Sequence, residues 1–256
     1  MKESDFLLAL VRFKDSGITE ALNFEQMNDA FISYHSTAIE GSSLTEEETR
    51  LLLLEGLTAK GKPIEHHNMA KDHHNALKFI VENAQAKTEV SADFIKKINE
   101  LVMKSTGGVI NSMAGSYDSS KGDFRKSMVH VGERYFSNYQ KVPFEVDELV
   151  KHINENLKAS DENISAYRLA FDAHFKLVSI HPFADGNGRT ARLLSNFILH
   201  YHKKPLSVVF REDKGDYIHA LEETRKKEDI NIFRDFMFSQ QTKYFEKEIQ
   251  KIDNRL

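Results

Sequence analysis

His181-Pro182-Phe183-Ala184-Asp185-Gly186-Asn187-Gly188-Arg189-Thr190-Ala191-Arg192 is the stretch that decides how this chain is read. It sets an imidazole, a carboxylate, two glycines, an amide and two guanidiniums between two segments with helical spacing. Pro182 disfavours α geometry at His181, so the imidazole should leave the preceding helix and face a cleft. Gly186 and Gly188 let backbone N–H groups come close to phosphate oxygens, where the next helix's N-terminus adds positive dipole. Asn187 can donate an amide hydrogen bond. Arg189 and Arg192, three apart, suit bidentate contacts to phosphate. Asp185, the only acid in the loop, is a natural Mg²⁺ ligand, because that ion takes one or two carboxylates together with phosphates and water. The loop is equipped to hold a nucleotide's phosphates beside a general base.

Working outward, apolar residues recur at helical spacing and strand-like alternation is rare. The segment ending at Ile180 carries Tyr167, Ala170, Phe171, His174, Phe175, Leu177 and Val178 on one side. The segment after Asn187 buries Leu193, Leu194, Phe197, Ile198 and Tyr201, and Phe183 can anchor the loop between them. Helices are expected over about 164–180 and 187–203, then over 214–226 and 230–252. Upstream, Ser4 can cap a helix stopped by Gly17, and a second covers about 22–39, ending near Gly41. Thr45 with Glu48 makes a capping box for a short helix through Leu54, with Gly56 as its stop. Further helices follow Pro63 (to about 82), span 92–104 and span 144–157. Residues 105–142 hold five glycines and several serines, which disfavours helix there. Within that stretch, Met128–Phe136 suits a small hairpin around Gly132-Glu133.

A chain of 256 residues can bury roughly 70–75% of its unfolded surface and needs no covalent staple. Cysteine is absent, which rules out disulfides and thiolate metal sites. The formal net charge of −4 is unlike that of a dedicated nucleic-acid binder, so any phosphate recognition is local. The longest apolar runs, Phe6–Val11 and Leu51–Leu54, are too short to span a bilayer, and no signal peptide is read. A cytoplasmic protein is expected.

The segment His181–Arg192 matches without a gap the signature His-x-Phe-x-Asp/Glu-Gly-Asn-Gly-Arg-x-x-Arg, and in this the chain resembles Fic-domain proteins. The resemblance implies a mostly α fold, a Fic-type helical bundle with a small β-hairpin flap. It also implies transfer of AMP from ATP to a Tyr, Ser or Thr hydroxyl of a target protein, with pyrophosphate released. His181 would be the base toward the hydroxyl, and Asp185 the ligand of a Mg²⁺ bridging the α- and β-phosphates. Gly186, Asn187, Gly188 and Arg189 would form the anion hole, Thr190 would belong to the nucleotide-binding set beside them, and Arg192 would hold the γ-phosphate. Gly122-Asp123-Phe124-Arg125, followed by Val129-His130-Val131-Gly132, resembles the family's target-docking flap, which pairs with a target segment as a strand does. Tyr217 and Leu221 resemble the family's adenine-side helix, while Ile218 stands where a second tyrosine is common.

Ser36-Thr37-Ala38-Ile39-Glu40-Gly41 resembles the family's inhibitory motif Ser/Thr-x-x-x-Glu-Gly/Asn. Ser36 and Glu40 are one helical turn apart and share a face. A carboxylate projecting into the cleft can pair bidentately with Arg192 and take it from the γ-phosphate. The chain is accordingly divided into an N-terminal helical region, 1–60, carrying the inhibitory helix, and a Fic core, 61–256. The alternatives are an AMP-removing hydrolase on the same site and a non-catalytic regulatory partner of the toxin–antitoxin kind. ATP and a hydroxyl-bearing protein are the expected partners, with self-modification and a homodimer left open; membrane and nucleic acid are not expected. His66, His67, His73 and His74 around Asp72 lack the spacing of a helical zinc site and are read as a solvated helix face.

Overall fold

The computed structural model describes residues 2–132, 134–158 and 163–253. Caps and stops cut these residues into ten α-helices: α1 (Lys2–Asp15), α2 (Phe24–Ile39), α3 (Glu46–Glu55), α4 (Ile64–Gln85), α5 (Ala92–Met103), α6 (Val142–Leu157), α7 (Asn163–Ile180), α8 (Asn187–Tyr201), α9 (Lys214–Lys227) and α10 (Ile230–Asp253). The capping box of α3 is present. Thr45 Oγ1 accepts from the Glu48 N–H at 3.1 Å, and Glu48 Oε2 accepts from the Thr45 N–H at 2.8 Å. Gly56 ends that helix in the left-handed region, with φ 73°. At the N-terminus Ser4 does not cap, because α1 already begins at Lys2 and takes the serine into its first turn.

The helices bury their stripes in one continuous core that runs from Phe6 to Ile249. At its centre α7 packs on α8. α6 and α10 flank α7, while α4 and α5 flank α8. α1 is tied to the far end of the chain through aromatic rings: Phe6 lies 5.0 Å from Phe238, and Phe13 stacks on Phe245 at 4.5 Å. α2 lies across α4 and α8, with α3 beside it. No described helix is long and apolar enough to cross a membrane.

The glycine-rich middle forms two antiparallel hairpins. β3 (His130–Val131) pairs with β4 (Arg134–Tyr135), in the register His130 opposite Tyr135, within the hairpin expected over 128–136. β1 (Val109–Ser112) pairs with β2 (Gly115–Asp118), and this hairpin was not anticipated. Its four-residue strands are mostly polar and show no alternation strong enough to separate them from loop.

The histidine cluster on α4 is not a solvated face. His67, Asp72, His73 and His74 are all buried. Three of them have separate partners: His67 Nε2 accepts from the Ala59 N–H, His73 meets Ser33 Oγ, and Asp72 accepts from both the N–H and the hydroxyl of Ser105. Burial holds the His73 and His74 imidazoles neutral, pushing His74 down to about 4 and His73 well below the ordinary value, and it does the same to His35 on α2, down to about 3, and to His174.

This has a consequence for acid stability. A histidine whose folded pKa is depressed binds protons more readily in the unfolded chain, so stability falls as pH drops from 6.5 toward the folded values. At pH 5.5 each such residue should cost about 1 kcal/mol relative to pH 7.5. Asp29, raised by burial to about 6, and Asp72, also raised by burial, act in the opposite sense but are outnumbered by the histidines. Urea unfolding at the two pH values should show a clearly lower midpoint at pH 5.5. Equal midpoints would contradict the neutral burial of these rings.

Candidate active site

The loop between α7 and α8 begins with a turn that helix cannot continue. His181 has φ 54°, a left-handed value rare outside glycine, and its N–H still reaches Leu177 O at 3.0 Å. Pro182 thus takes the residue out of the helix, and the imidazole is half-buried at the loop mouth. Phe183 is fully buried beneath it. Phe136 stacks on the His181 ring at 4.1 Å, with an interplanar angle of 28°. Burial, then the charges of Arg125 and Arg134, push the His181 imidazole down to about 4; Asp185 and the Val178 backbone work the other way. The ring is neutral at pH 7 and available to accept a proton.

Gly186 turns the chain into α8 with φ 77°. A side chain there would meet Asn99 Nδ2 at 2.7 Å and Met103 Sδ at 2.9 Å, and the positive φ strains any L side chain, so glycine is strongly favoured. Asp185 lies outside this packing, with its side chain 68% exposed. One carboxylate oxygen accepts from the Gly186 N–H, and the other lies 3.4 Å from Arg189 Nη2. No group of three His, Asp or Glu residues suited to a metal occurs among the described residues. A lone exposed carboxylate at the rim matches a cation that completes its shell with phosphate and water, as Mg²⁺ does.

Two guanidiniums converge behind this loop. Arg189 is buried, with Nη2 3.4 Å from Met103 Sδ, and its Nε and Nη1 have no hydrogen-bond partner. Arg192 is also buried, and its Nη1 likewise lacks a partner. Buried charged donors left unpaired are costly, which marks the space they face as one that should receive an anion.

Arg192 also carries the contacts to α2. Its Nη2 donates to Glu40 Oε1 at 2.7 Å and to the Ser36 carbonyl at 2.9 Å, while Nε donates to Ser36 Oγ at 2.9 Å. The Glu40 pairing is therefore single rather than the bidentate one expected: Ser36 takes Nε and shares Nη2, and Nη1 is left without a partner. Burial disfavours the Glu40 charge, yet Arg192 beside it, with help from Arg189 and Lys214, holds its carboxyl below the usual range. Gly41, at φ 101°, lets α2 stop directly after Glu40. A Cβ on Gly188 would lie 2.6 Å from Glu40 Oε1 and 3.1 Å from Arg192 Nη1. The carboxylate thus lies against the first turn of α8, in the ground where a phosphate would meet that helix's N-terminus.

Three sequence-derived site residues sit elsewhere than expected. The Asn187 amide is spent inside the loop, since Oδ1 accepts from the Phe183 N–H and Nδ2 donates to Phe183 O, both at 3.0 Å. Only its backbone N–H is left to face a ligand. Thr190 is fully buried and accepts from Asn99 Nδ2 at 3.1 Å. Tyr217 is 3% exposed, with its hydroxyl 2.8 Å from His174 Nε2 and its ring against Phe233 and Phe236. It supports the floor beneath Arg192 and presents no open face for a base to stack on. Ile218, by contrast, is 41% exposed. Of the flap residues, Val129 lies at the hairpin base, where its carbonyl accepts from the Phe136 N–H at 3.2 Å. His130 and Val131 form β3, and Gly132 turns with φ 60°; Glu133 lies outside the described residues.

Sequence reading missed Asn99, which donates to the Asp185 carbonyl at 3.0 Å as well as to Thr190. The available signal was an asparagine within the apolar stripe of α5, where an unpaired amide would be costly. The same reading placed Phe136 and Arg125 in the flap but gave neither a part at the site, although Arg125 is a buried guanidinium whose three nitrogens each donate to a backbone carbonyl.

Residues 89–199 match the Fic/DOC family. The protein adenylyltransferase Fic of Drosophila grimshawi is 31% identical over 189 residues, which is 73% of this chain and 36% of that protein. The chain thus spans about a third of the length of the curated relatives it matches. A Fic-domain-containing signalling protein from Bacteroides thetaiotaomicron shares the fold with a TM-score of 0.79 at 25% identity, covering 96% of this chain and 97% of that one. A Fic-1 fragment from C. elegans gives a TM-score of 0.76 at 23% identity, over 99% and 74% of the two chains. The loop signature, the helical bundle around it and these likenesses agree, and the chain belongs to the Fic/DOC family.

Proposed function

We propose that this chain is an autoinhibited protein adenylyltransferase, moving AMP from ATP to a Tyr, Ser or Thr hydroxyl of a target protein. The observation that carries the reading is the set of unpaired buried donors on Arg189 and Arg192 at the N-terminus of α8, one loop away from a neutral imidazole. The naming of the curated relatives as protein adenylyltransferases supports the choice of transferred group.

In this reading the backbone of Gly186–Arg189 and both guanidiniums receive the triphosphate. Asp185 would hold Mg²⁺, which when bound supplies positive charge against the phosphates. His181 Nδ1 is buried, so Nε2 is the nitrogen that takes the hydroxyl proton. The target oxygen bonds to the α-phosphorus, the bond from that phosphorus to the bridging oxygen breaks, and pyrophosphate leaves. Positioning and charge neutralisation supply most of the acceleration.

Residues 1–60 carry the restraint and residues 61–256 the chemistry. Glu40 restrains the site by holding Arg192 and standing where the outer phosphates would lie. The flap residues Val129–Gly132 receive the target segment. The test is incubation of the parent, Glu40→Gly and His181→Ala proteins with Mg²⁺ and ATP labelled on the α- or the γ-phosphate. Label from the α position alone, lost with His181, supports the reading. γ-Label on protein would overturn it in favour of phosphoryl transfer. Release of AMP from modified protein without net labelling would favour the hydrolase.

A further inference from the structure

We infer that Phe136 and Arg125 are positioning residues that lock the base of the flap to the His181 imidazole, so that the strand receiving a target also sets the ring's orientation. The inference rests on the proposed transfer reaction and concerns residues outside the loop signature.

Alternation along the second flap strand is the starting point. Side chains two apart on a strand share a face. Arg134 and Phe136 turn inward, while Tyr135 is 72% exposed. The inward pair builds a three-layer stack. The Arg134 guanidinium lies 4.2 Å from the Phe136 ring centre, and Phe136 lies 4.1 Å from the His181 ring on its other side. The outer layer is itself held, since Arg134 Nη2 donates to the Ser179 carbonyl in the last turn of α7 at 3.4 Å. Phe136 is only 6% exposed, so its ring is fixed by packing.

Arg125 ties the same parts together through the backbone. Its Nε donates to the His181 carbonyl at 2.8 Å, Nη1 to Ser127 O at 2.9 Å and Nη2 to Ser137 O at 2.7 Å. Its own N–H donates to Pro182 O at 3.0 Å. One buried side chain therefore joins both arms of the flap to the residue that carries the imidazole. Among the described residues no carboxylate hydrogen-bonds to it, and its three nitrogens are committed to backbone carbonyls. The left-handed backbone at His181, with φ 54°, is strained and persists only where its surroundings impose it. The Arg125 contacts to the His181 and Pro182 carbonyls are those surroundings.

The groups facing His181 from the packed elements are Arg125 and Arg134 on the flap side and Asp185 on the loop. The Phe136 ring covers one face of the imidazole and keeps water off it.

The test uses the full chain carrying Glu40→Gly, in which transfer is most readily measured, with Phe136→Leu and Phe136→Tyr added separately. Two readouts are taken: steady-state kinetics, and the rate at which diethyl pyrocarbonate acylates His181, located by peptide mass spectrometry. Phe136→Leu should lower kcat about tenfold or more with the KM for ATP unchanged, the signature of a misaligned base. It should also speed His181 acylation several-fold. Phe136→Tyr, which keeps the stacked ring, should restore both. Unchanged acylation in the leucine variant, or faster acylation with full kcat, overturns the inference. If the Glu40→Gly protein transfers nothing from ATP, the proposed reaction fails while the acylation comparison still decides the stack.

Discussion

Glu40→Gly should raise the rate of adenylyl transfer by on the order of 100-fold, measured as α-label appearing on protein at saturating ATP. The size follows from what the carboxylate occupies. Glu40 Oε1 takes one Arg192 donor at 2.7 Å and stands at the position a Gly188 side chain would meet at 2.6 Å. In the proposed reaction a triphosphate arriving beside it would meet a like charge, lose one arm of its clamp and settle with the α-phosphorus out of line. Misplacement of about 1 Å at the reacting centre costs about 10²-fold, and removing the obstacle should return that factor. Ser36 should hold Arg192 in place in the variant, because the Nε–Oγ and Nη2–carbonyl bonds do not involve Glu40. The guanidinium is therefore released toward the phosphate without losing its support. A decisive control is Glu40→Gln, which keeps the shape but removes the charge. Intermediate activation is expected, since the amide still fills the space while its repulsion of phosphate is gone. Identical rates for parent and Glu40→Gly would remove the restraint from the proposal.

The loop and the helices around it were legible because their signals are local. Thr45 and Glu48 specify a cap within four residues, Gly56 and Gly186 specify left-handed turns, and Pro182 alone dictates that His181 leave its helix. Ser36 and Glu40 could be placed on one face by helical spacing, and both do reach Arg192. What escaped was set by contacts far apart in sequence. Nothing in the spacing says that the Asn187 amide closes on Phe183, or that Thr190 turns inward to Asn99, 91 positions away. Tyr217 misled for the same reason. Its helix face is defined by His174 and α10, and amphipathic period does not say whether a tyrosine at that boundary looks into a cleft or into the core. The buried histidines of α4 show the general limit. Polar residues on a helix stripe read as solvated unless their partners, here Ser33 and the Ala59 N–H, are already known.

His181→Ala should abolish transfer, with a loss of about 10²–10⁴-fold in kcat and little change in ATP affinity. General-base removal has that cost, and the imidazole makes no contact with Arg189 or Arg192, on which nucleotide binding would rest. The pH dependence gives a sharper version of the same test. At its ordinary pKa of about 6.5, about a quarter of the imidazole would be protonated and idle at pH 7. With the value pushed down to about 4, the base is fully available from pH 6 to 8, and activity is lost only as pH falls through the folded value. The profile of kcat/KM, which reports the free enzyme, should therefore be flat through neutrality on its acidic side. That of kcat should break at a higher pH. Bound triphosphate places negative charge near the ring and favours its protonated form, opposing the Arg125 and Arg134 charges that depress it. An acidic break for kcat/KM near 6.5 would mean that the imidazole is solvated in the free protein and that burial does not set its charge.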